Sequence, residues 1–383
     1  MNSVVDKLYS LACGGVQGLK PYEAGKPIEE LERDYGVANI VKLASNENPL
    51  CTSTKVREAI EKCVENVALY PDGNAFYLKQ AISEHLTAHL TTPAQQILPE
   101  NITIGNGSND VLEIIAHSFA DHNAEVIYSQ HAFAVYPIVT QAVGAKHVMT
   151  PAINWGHDLD AMVNAITDKT RLIFIANPNN PTGTWLSAKS VHSFLSQVPD
   201  NVIVVLDEAY HEFIEHEDYL SAIDWISEFP NLIVTRTFSK AYGLAGLRIG
   251  YGISHPAVTN ILNRVRQPFN ANSIALAAAM AALDDKDFLH KSIEVNNQGM
   301  QQLTDAFKEM SLDFIPSVGN FVCVDVKMNG NIIYEELLKK GVIVRPVGLY
   351  QMPDHLRVSV GSSAGNARFI TALKEVLAEL SLQ

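Results

Sequence analysis

Between about residues 100 and 255 the chain alternates short, continuous apolar runs with longer stretches whose apolar positions recur every three or four residues. Ile102-Thr103-Ile104 leads into Gly105-Asn106-Gly107-Ser108-Asn109 and the amphipathic segment from Val111 to Phe119. The run Arg171 to Ile175 leads into a Pro/Asn/Gly turn and a helix that Ser187 is placed to cap. Asn201 to Leu206 ends at Asp207, and Leu232-Ile233-Val234 runs toward Lys240. Continuous β-branched runs separated by helices predict a parallel sheet buried on both faces. In such sheets the ligand-binding groups gather at the carboxyl ends of the strands.

The pattern changes in the second half. From Ser273 to about Met310 it is helical and rich in alanine. Apolar runs then return at Phe321 to Val326, Val342-Ile343-Val344 and His355 to Val360, with helical stretches near Ile332 to Lys339 and Ala364 to Leu380. These elements predict a second, smaller α/β unit. No repeat, low-complexity tract or Ser/Gly-rich linker separates the two parts, so they are expected to pack closely.

With 383 residues, 47% hydrophobic and 18% charged, the chain has room for about two domains and a large core. No apolar run reaches the length of a membrane span, and the N-terminus lacks the pattern of a secretory signal. Cys13, Cys51, Cys63 and Cys323 form no CxxC pair, and four scattered thiols suit a reducing cytoplasm. A formal charge of −14 argues against nucleic acid or an anionic membrane surface as partner. An anionic substrate would therefore have to be captured by local arginines.

Chemistry concentrates at four strand ends. Lys240 follows an apolar run within Thr237-Phe238-Ser239-Lys240, and a lysine is rarely buried without a task. In a partly desolvated pocket its amine holds its proton less tightly and becomes a nucleophile able to form a Schiff base. Thr237 and Ser239 just before it, and Arg248 after it, supply groups for a phosphate. Together they fit attachment to a phosphorylated aldehyde, pyridoxal 5'-phosphate. Asp207 lies 27 residues after Asn180 and 33 before Lys240, about one strand-helix-strand unit each way. A carboxylate there can keep a pyridine nitrogen protonated and so make the ring an electron sink. Tyr210 is placed to donate to a phenolic oxygen, and Phe133 to stack on a ring. Gly107, Ser108 and Asn109 open a helix whose N–H groups form an anion site. The stretch His211 to His216 spaces its histidines too widely for a zinc helix motif and reads as a solvated acidic loop, with no metal expected.

The set SNENP (Ser45 to Pro49), YPDG (Tyr70 to Gly73), NNPTG (Asn179 to Gly183), DEAY (Asp207 to Tyr210), TFSKAYGLAGLR (Thr237 to Arg248) and HLRVSVG (His355 to Gly361) resembles the fold-type I aminotransferases, and among them the histidinol-phosphate aminotransferases. The resemblance covers nearly the whole chain. It implies an α/β fold of the aspartate-aminotransferase type: a large domain with a mainly parallel seven-stranded sheet flanked by helices, and a smaller α/β domain built from both termini. We expect the large domain over 46–270 and the small one over 1–45 and 271–383.

The same resemblance implies roles for single residues. Lys240 would hold the cofactor covalently and act as acid and base, with Asp207 on the ring nitrogen and Asn180 and Tyr210 on the phenolic oxygen. Gly107, Ser108, Asn109, Thr237, Ser239 and Arg248 would surround the phosphate, with Phe133 over the ring. Tyr70 would reach the cofactor of a partner subunit in a homodimer with shared active sites. Arg357 would hold a carboxylate, while Tyr22, Arg345 and Asn180 would meet the substrate. The implied reaction is transamination between a small-molecule amino donor, L-histidinol phosphate, and the 2-oxo acid 2-oxoglutarate. An aromatic amino-acid aminotransferase would use the same residues. A phosphothreonine decarboxylase or a non-enzymatic cofactor-binding module fits less well. The segment Leu50-Cys51-Thr52-Ser53-Thr54 departs from the usual reading after SNENP.

Overall fold

A computed structural model describes residues 3–21, 25–91 and 95–381. Its larger sheet has seven strands: Ile102–Gly105 (β1), Glu125–Ser129 (β2), Lys146–Thr150 (β3), Thr170–Ala176 (β4), Ile203–Asp207 (β5), Leu232–Thr237 (β6) and Gly250–Ser254 (β7). Their spatial order is β1-β7-β6-β5-β4-β2-β3. Pairing is parallel from β6 across to β3, whereas β7 lies antiparallel between β1 and β6. The four apolar runs read from the sequence are strands of this sheet. Three strands carry weaker patterns: β2 opens on Glu125, β3 is an exposed edge, and β7 contains two glycines.

Side chains alternate faces along a strand, so a doubly covered sheet buries both sets. On one side Ile173, Ile175, Val204, Leu206, Leu232 and Val234 enter one apolar core. On the other side Leu172, Phe174, Val205 and Ile233 enter a second. That is why these runs are apolar without interruption.

Helices Thr54–Cys63 (α1), Phe76–Thr87 (α2) and Ser108–Phe119 (α3) flank the sheet, and Ser53 caps α1 by accepting from Val56 N at 3.2 Å. The expected cap at Ser187 is present on the helix Ala188–Leu195, where its Oγ accepts from Ser190 N. The alanine-rich stretch is two helices, Ser273–Leu283 (α4) and Lys286–Glu309 (α5). Asp285 starts the second by accepting from Phe288 N at 3.3 Å. Ala275, Ala278, Ala279 and Ala282 are buried in the core of the large sheet, where small side chains let α4 approach α1 and α2 closely. On packing grounds α4 goes with the large unit, and we propose a division after about residue 284 in place of the expected one at 270.

The small unit is an antiparallel sheet of Phe314–Ile315 (β8), Phe321–Asp325 (β9), Arg345–Pro346 (β10) and His355–Ser359 (β11), in the order β8-β9-β11-β10. Its separate core includes Phe307, Val322, Val324, Val358, Phe369 and Leu373. Val342–Ile343 does not join this sheet. It pairs in parallel with Val41–Lys42 near the N-terminus. The stretch His211 to His216 is solvated only in part: His211 and Glu212 are half-buried, while Glu215 and His216 are exposed. Burial pushes the Glu212 carboxyl up to about 7.

Candidate active site

A cavity of about 220 Å³ opens at the carboxyl ends of β4, β5 and β6, beside the start of α3 and under the arginines of β10 and β11. It is lined by Ser108, Asn109, Phe133, Asn180, Asp207, Tyr210, Thr237, Ser239, Lys240, Arg248, Arg345 and Arg357, among others. The sequence spreads these side chains over some 250 positions, and the parallel strands bring them to one edge.

Lys240 stands three residues beyond the end of β6, and its Nζ donates to Ser45 O at 3.1 Å. Burial pushes the amine down to about 7, and the charge of Arg357 pushes the same way. Near neutral pH a large share of it is therefore unprotonated and nucleophilic. Asp207 is the last residue of β5 and is 5% exposed. Burial raises its carboxyl to about 6. Its Oδ2 accepts from Tyr136 Oη at 3.0 Å, whereas its buried Oδ1 makes no hydrogen bond of good geometry among the described residues, although Thr235 and the Ala209 N–H lie close enough to favour the charged carboxyl. A buried carboxylate oxygen without a well-aligned partner is costly, so this side of the cavity can accept a further donor.

Tyr210 is buried, with its ring edge-on to Phe321 at 5.1 Å. Its hydroxyl oxygen accepts from Asn46 Nδ2 at 2.9 Å, and burial raises the phenol to about 12. Asn180 Oδ1 accepts from Arg357 Nη1 at 2.6 Å, which leaves the amide NH₂ end as a donor. Arg357 Nη2 donates to Ala44 O at 2.6 Å, and its guanidinium lies 5.5 Å from the centre of the Phe321 ring. Arg345 pairs in register with Arg357 on the neighbouring strand, so the two cations stand side by side at the mouth.

The floor on the β1 and β6 side is an anion cradle. Gly107 precedes α3 at φ 88°, and a Cβ there would lie 2.6 Å from Arg248 Nη2. Arg248 Nη1 donates to Ser239 Oγ at 3.4 Å and to Ala245 O at 3.1 Å. Thr237 Oγ1 accepts from Ser239 N at 3.1 Å, which shapes the bend before Lys240. Phe133 stands half-buried, edge-on to Tyr136 at 5.8 Å.

One expected residue lies outside the cavity. Tyr70 is 83% exposed and stacks on Phe269 at 4.8 Å, outside this cavity. Tyr22 lies outside the described residues. Three residues near the chemistry went unread. Tyr136 looks like a core aromatic and is stacked on Phe174 at 4.8 Å, yet its hydroxyl holds Asp207. Ser45 and Asn46 stood within the quoted SNENP segment without a role.

A family profile described as aminotransferase class I and II matches residues 38–373. The chain belongs to that aminotransferase family. It is 56% identical over 371 residues to a curated histidinol-phosphate aminotransferase 1 of Nitrosococcus oceani, covering 97% of this chain and 98% of the relative. A second relative of that name, from Idiomarina loihiensis, is 54% identical over 362 residues, covering 94% of this chain and 96% of the relative. Among solved structures, the histidinol-phosphate aminotransferase from Sinorhizobium meliloti, in complex with pyridoxal-5'-phosphate, matches this aminotransferase with a TM-score of 0.88 at 30% identity, covering 97% of this chain and 98% of that one. An aspartate aminotransferase of Thermus thermophilus, at 21% identity and a TM-score of 0.83, shares the fold.

Proposed function

We propose that this aminotransferase binds pyridoxal 5'-phosphate through Lys240 and moves the amino group of L-histidinol phosphate to 2-oxoglutarate, giving imidazole-acetol phosphate and L-glutamate for histidine biosynthesis. The observation that carries the reading is one cavity holding a lysine amine pushed toward neutrality and a buried carboxylate oxygen without a well-aligned partner. The two relatives above, over half identical along nearly their whole length, support the substrate.

The residues fit the cofactor on two counts. Asp207 Oδ1 can accept the donor that a protonated ring nitrogen would supply. The missing side chain at Gly107 leaves the Arg248 guanidinium room to lie over the helix start, where a phosphate is held. Bound there, the cofactor supplies an aldehyde for amine exchange and an electron-withdrawing ring that acidifies the substrate carbon bearing the amine.

This chain's own groups do the rest. Arg248, Ser239 and the first N–H groups of α3 neutralise and orient the phosphate. Asp207 keeps a proton on the ring nitrogen, and Tyr136 fixes the carboxylate by donating to its other oxygen. Asn180 and Tyr210 donate to the phenolic oxygen. Lys240 would take the proton from the substrate carbon that bears the amine and deliver it to the cofactor's C4′, on the far side of the nitrogen; a base whose conjugate acid titrates at about 7 suits both halves of that task. Arg357 and Arg345 capture the phosphate of one substrate and the carboxylates of the other against a net charge of −14.

The reading includes a homodimer. Val64, Val67, Leu69, Tyr70, Phe76, Tyr77 and Phe269 are all 46–83% exposed; Tyr70 stacks on Phe269 and Phe76 meets Tyr77 edge-on. A patch of this kind marks a protein interface. It also includes a cytoplasmic location, which suits four unpaired cysteines. No helix among the described residues is long and apolar enough to cross a membrane.

The test is a Lys240→Ala variant with a kcat/KM panel of histidinol phosphate, phenylalanine, tyrosine and phosphothreonine against 2-oxoglutarate. Lys240→Ala should lose about a thousandfold or more in kcat, and histidinol phosphate should lead the wild-type panel. Near wild-type turnover of the variant removes the lysine's role, and a lead by phenylalanine reassigns the substrate.

A further inference from the structure

Three consecutive residues of the N-terminal segment each address a different group of the site. Ala44 O accepts from Arg357 Nη2 at 2.6 Å, Ser45 O accepts from Lys240 Nζ at 3.1 Å, and Asn46 Nδ2 donates to Tyr210 Oη at 2.9 Å. Of these contacts only the last is made by a side chain. Asn46 is 1% exposed and sits at φ 55°, the left-handed region that asparagine tolerates better than most residues.

Every polar group of Asn46 is committed. Its main-chain N–H donates to Ser359 Oγ at 2.7 Å, and its carbonyl accepts from Asn320 Nδ2 at 3.0 Å. Its Oδ1 accepts from the Ser359 hydroxyl at 2.9 Å, so the NH₂ end is the one that meets Tyr210. A phenol oxygen that accepts from Asn46 keeps its own O–H free to point elsewhere. Tyr210 lines the cavity, with Lys240 Nζ 5.8 Å from its ring centre.

We propose that Asn46 is a positioning residue: by donating to Tyr210 it keeps the tyrosine a hydrogen-bond donor into the cavity, toward the cofactor's phenolic oxygen. Through Ser359 it ties that donor to β11, the strand that carries Arg357. The inference rests on the cofactor reading above.

The polarity of the contact makes it testable. An acceptor at position 46 would claim the tyrosine's proton and withdraw the donor from the cavity. A phenolic oxygen that loses a donor holds the proton on the neighbouring Lys240 nitrogen more firmly. The pH midpoint of the holoenzyme's visible absorption then moves up. Asn46→Asp keeps the side-chain shape and tolerates the left-handed backbone. Asn46→Gly accepts φ 55° without strain and removes the donor outright.

The experiment compares holoenzymes of wild type, Asn46→Asp, Asn46→Gly, Tyr210→Phe and Asn46→Gly with Tyr210→Phe. Both single changes at 46 should raise the absorption midpoint by about 0.4–1 pH unit, the size of one hydrogen bond. They should also lower kcat roughly three- to tenfold, with KM changed less. In the Tyr210→Phe background the change at 46 should do little, because the group it positions is gone. Wild-type midpoints in both variants, or effects that add fully to Tyr210→Phe, overturn the proposal. If the glycine variant does not fold, Asn46→Asp carries the test alone. If wild-type protein given pyridoxal phosphate shows no pH-dependent visible band, the cofactor assignment fails and not the role of Asn46.

Discussion

The Lys240 amine is pushed down to about 7 and the Asp207 carboxyl up to about 6, both mainly by burial. Stability rises with pH where the unfolded chain binds more protons than the folded one. For Lys240 that range runs from about 7 to its ordinary 10.5, so its destabilising effect is full below 7 and fades above. For Asp207 the folded protein binds the extra proton between 3.8 and about 6, so stability falls across that range. Lys240→Met in protein stripped of cofactor should therefore stabilise by about 2–4 kcal/mol at pH 6 and by less than about 1 kcal/mol at pH 10. Urea unfolding at the two pH values decides it; an equal gain at both would mean the ammonium is not desolvated. At this scale the legible residues were the polar ones closing an apolar run: Asp207, Asn180 and Lys240. Tyr136 and Asn46 were not legible, because each acts through a partner more than 70 positions away. Nothing local separates a phenol that holds a carboxylate from one that fills a core.

The turn after β4 shows how an element can depend on a single missing atom. Asn179 O accepts from Gly183 N at 2.8 Å, closing the loop that projects Asn180. Gly183 sits at φ 76°, and a Cβ there would lie 2.3 Å from Ser317 Cβ, because the small unit rests directly on the turn. Val318 N donates to Gly183 O at 3.0 Å across the same contact. Gly183→Ala should cost about 2–4 kcal/mol from strain and overlap. It should also lower kcat/KM roughly tenfold by shifting Asn180 off Arg357. Thermal melts with steady-state kinetics check both, and an unchanged melt would show that the segment at Ser317 yields freely. Continuous apolar strands and capped helices were legible here. The edge strand β3 and the glycine-bearing β7 were not. In β7, Gly250 is needed because a Cβ would fall 2.4 Å from Ser108 N, so close packing on the cradle replaced a strand-like composition.

Over the whole molecule, the two-unit plan was legible from the change of pattern near residue 273, whereas the seam we propose after α4 has no mark of its own in the sequence. Alanine-rich α4 reads as part of the second unit and packs in the first. The pairing of Val41 with Val342 was likewise hidden, since two-residue strands carry no period to detect. The exposed patch around Tyr70 leads to a further expectation. On the proposed homodimer, a Leu69→Asp, Tyr77→Asp double variant should sediment as a monomer where the wild type sediments as a dimer, because two carboxylates would be left unpaired in an apolar contact. Its activity should fall with the dimer if Tyr70 completes the partner's site. A monomeric wild type with full activity would remove that role.

The strap of Ala44, Ser45 and Asn46 also has a consequence for synthesis of the chain. These residues leave the ribosome 274 to 313 positions ahead of Asn320, Arg357 and Ser359, on which they dock. A nascent chain that ends before Phe321 already contains the whole large sheet with Lys240 and Tyr210, but the strap still lacks Arg357 and Ser359. Domains form largely as they emerge. The strap is therefore completed only as β11, the strand that carries Arg357 and Ser359, arrives. Truncated products of this chain would leave Lys240 better hydrated, so its amine would be more protonated and less reactive than in the finished protein.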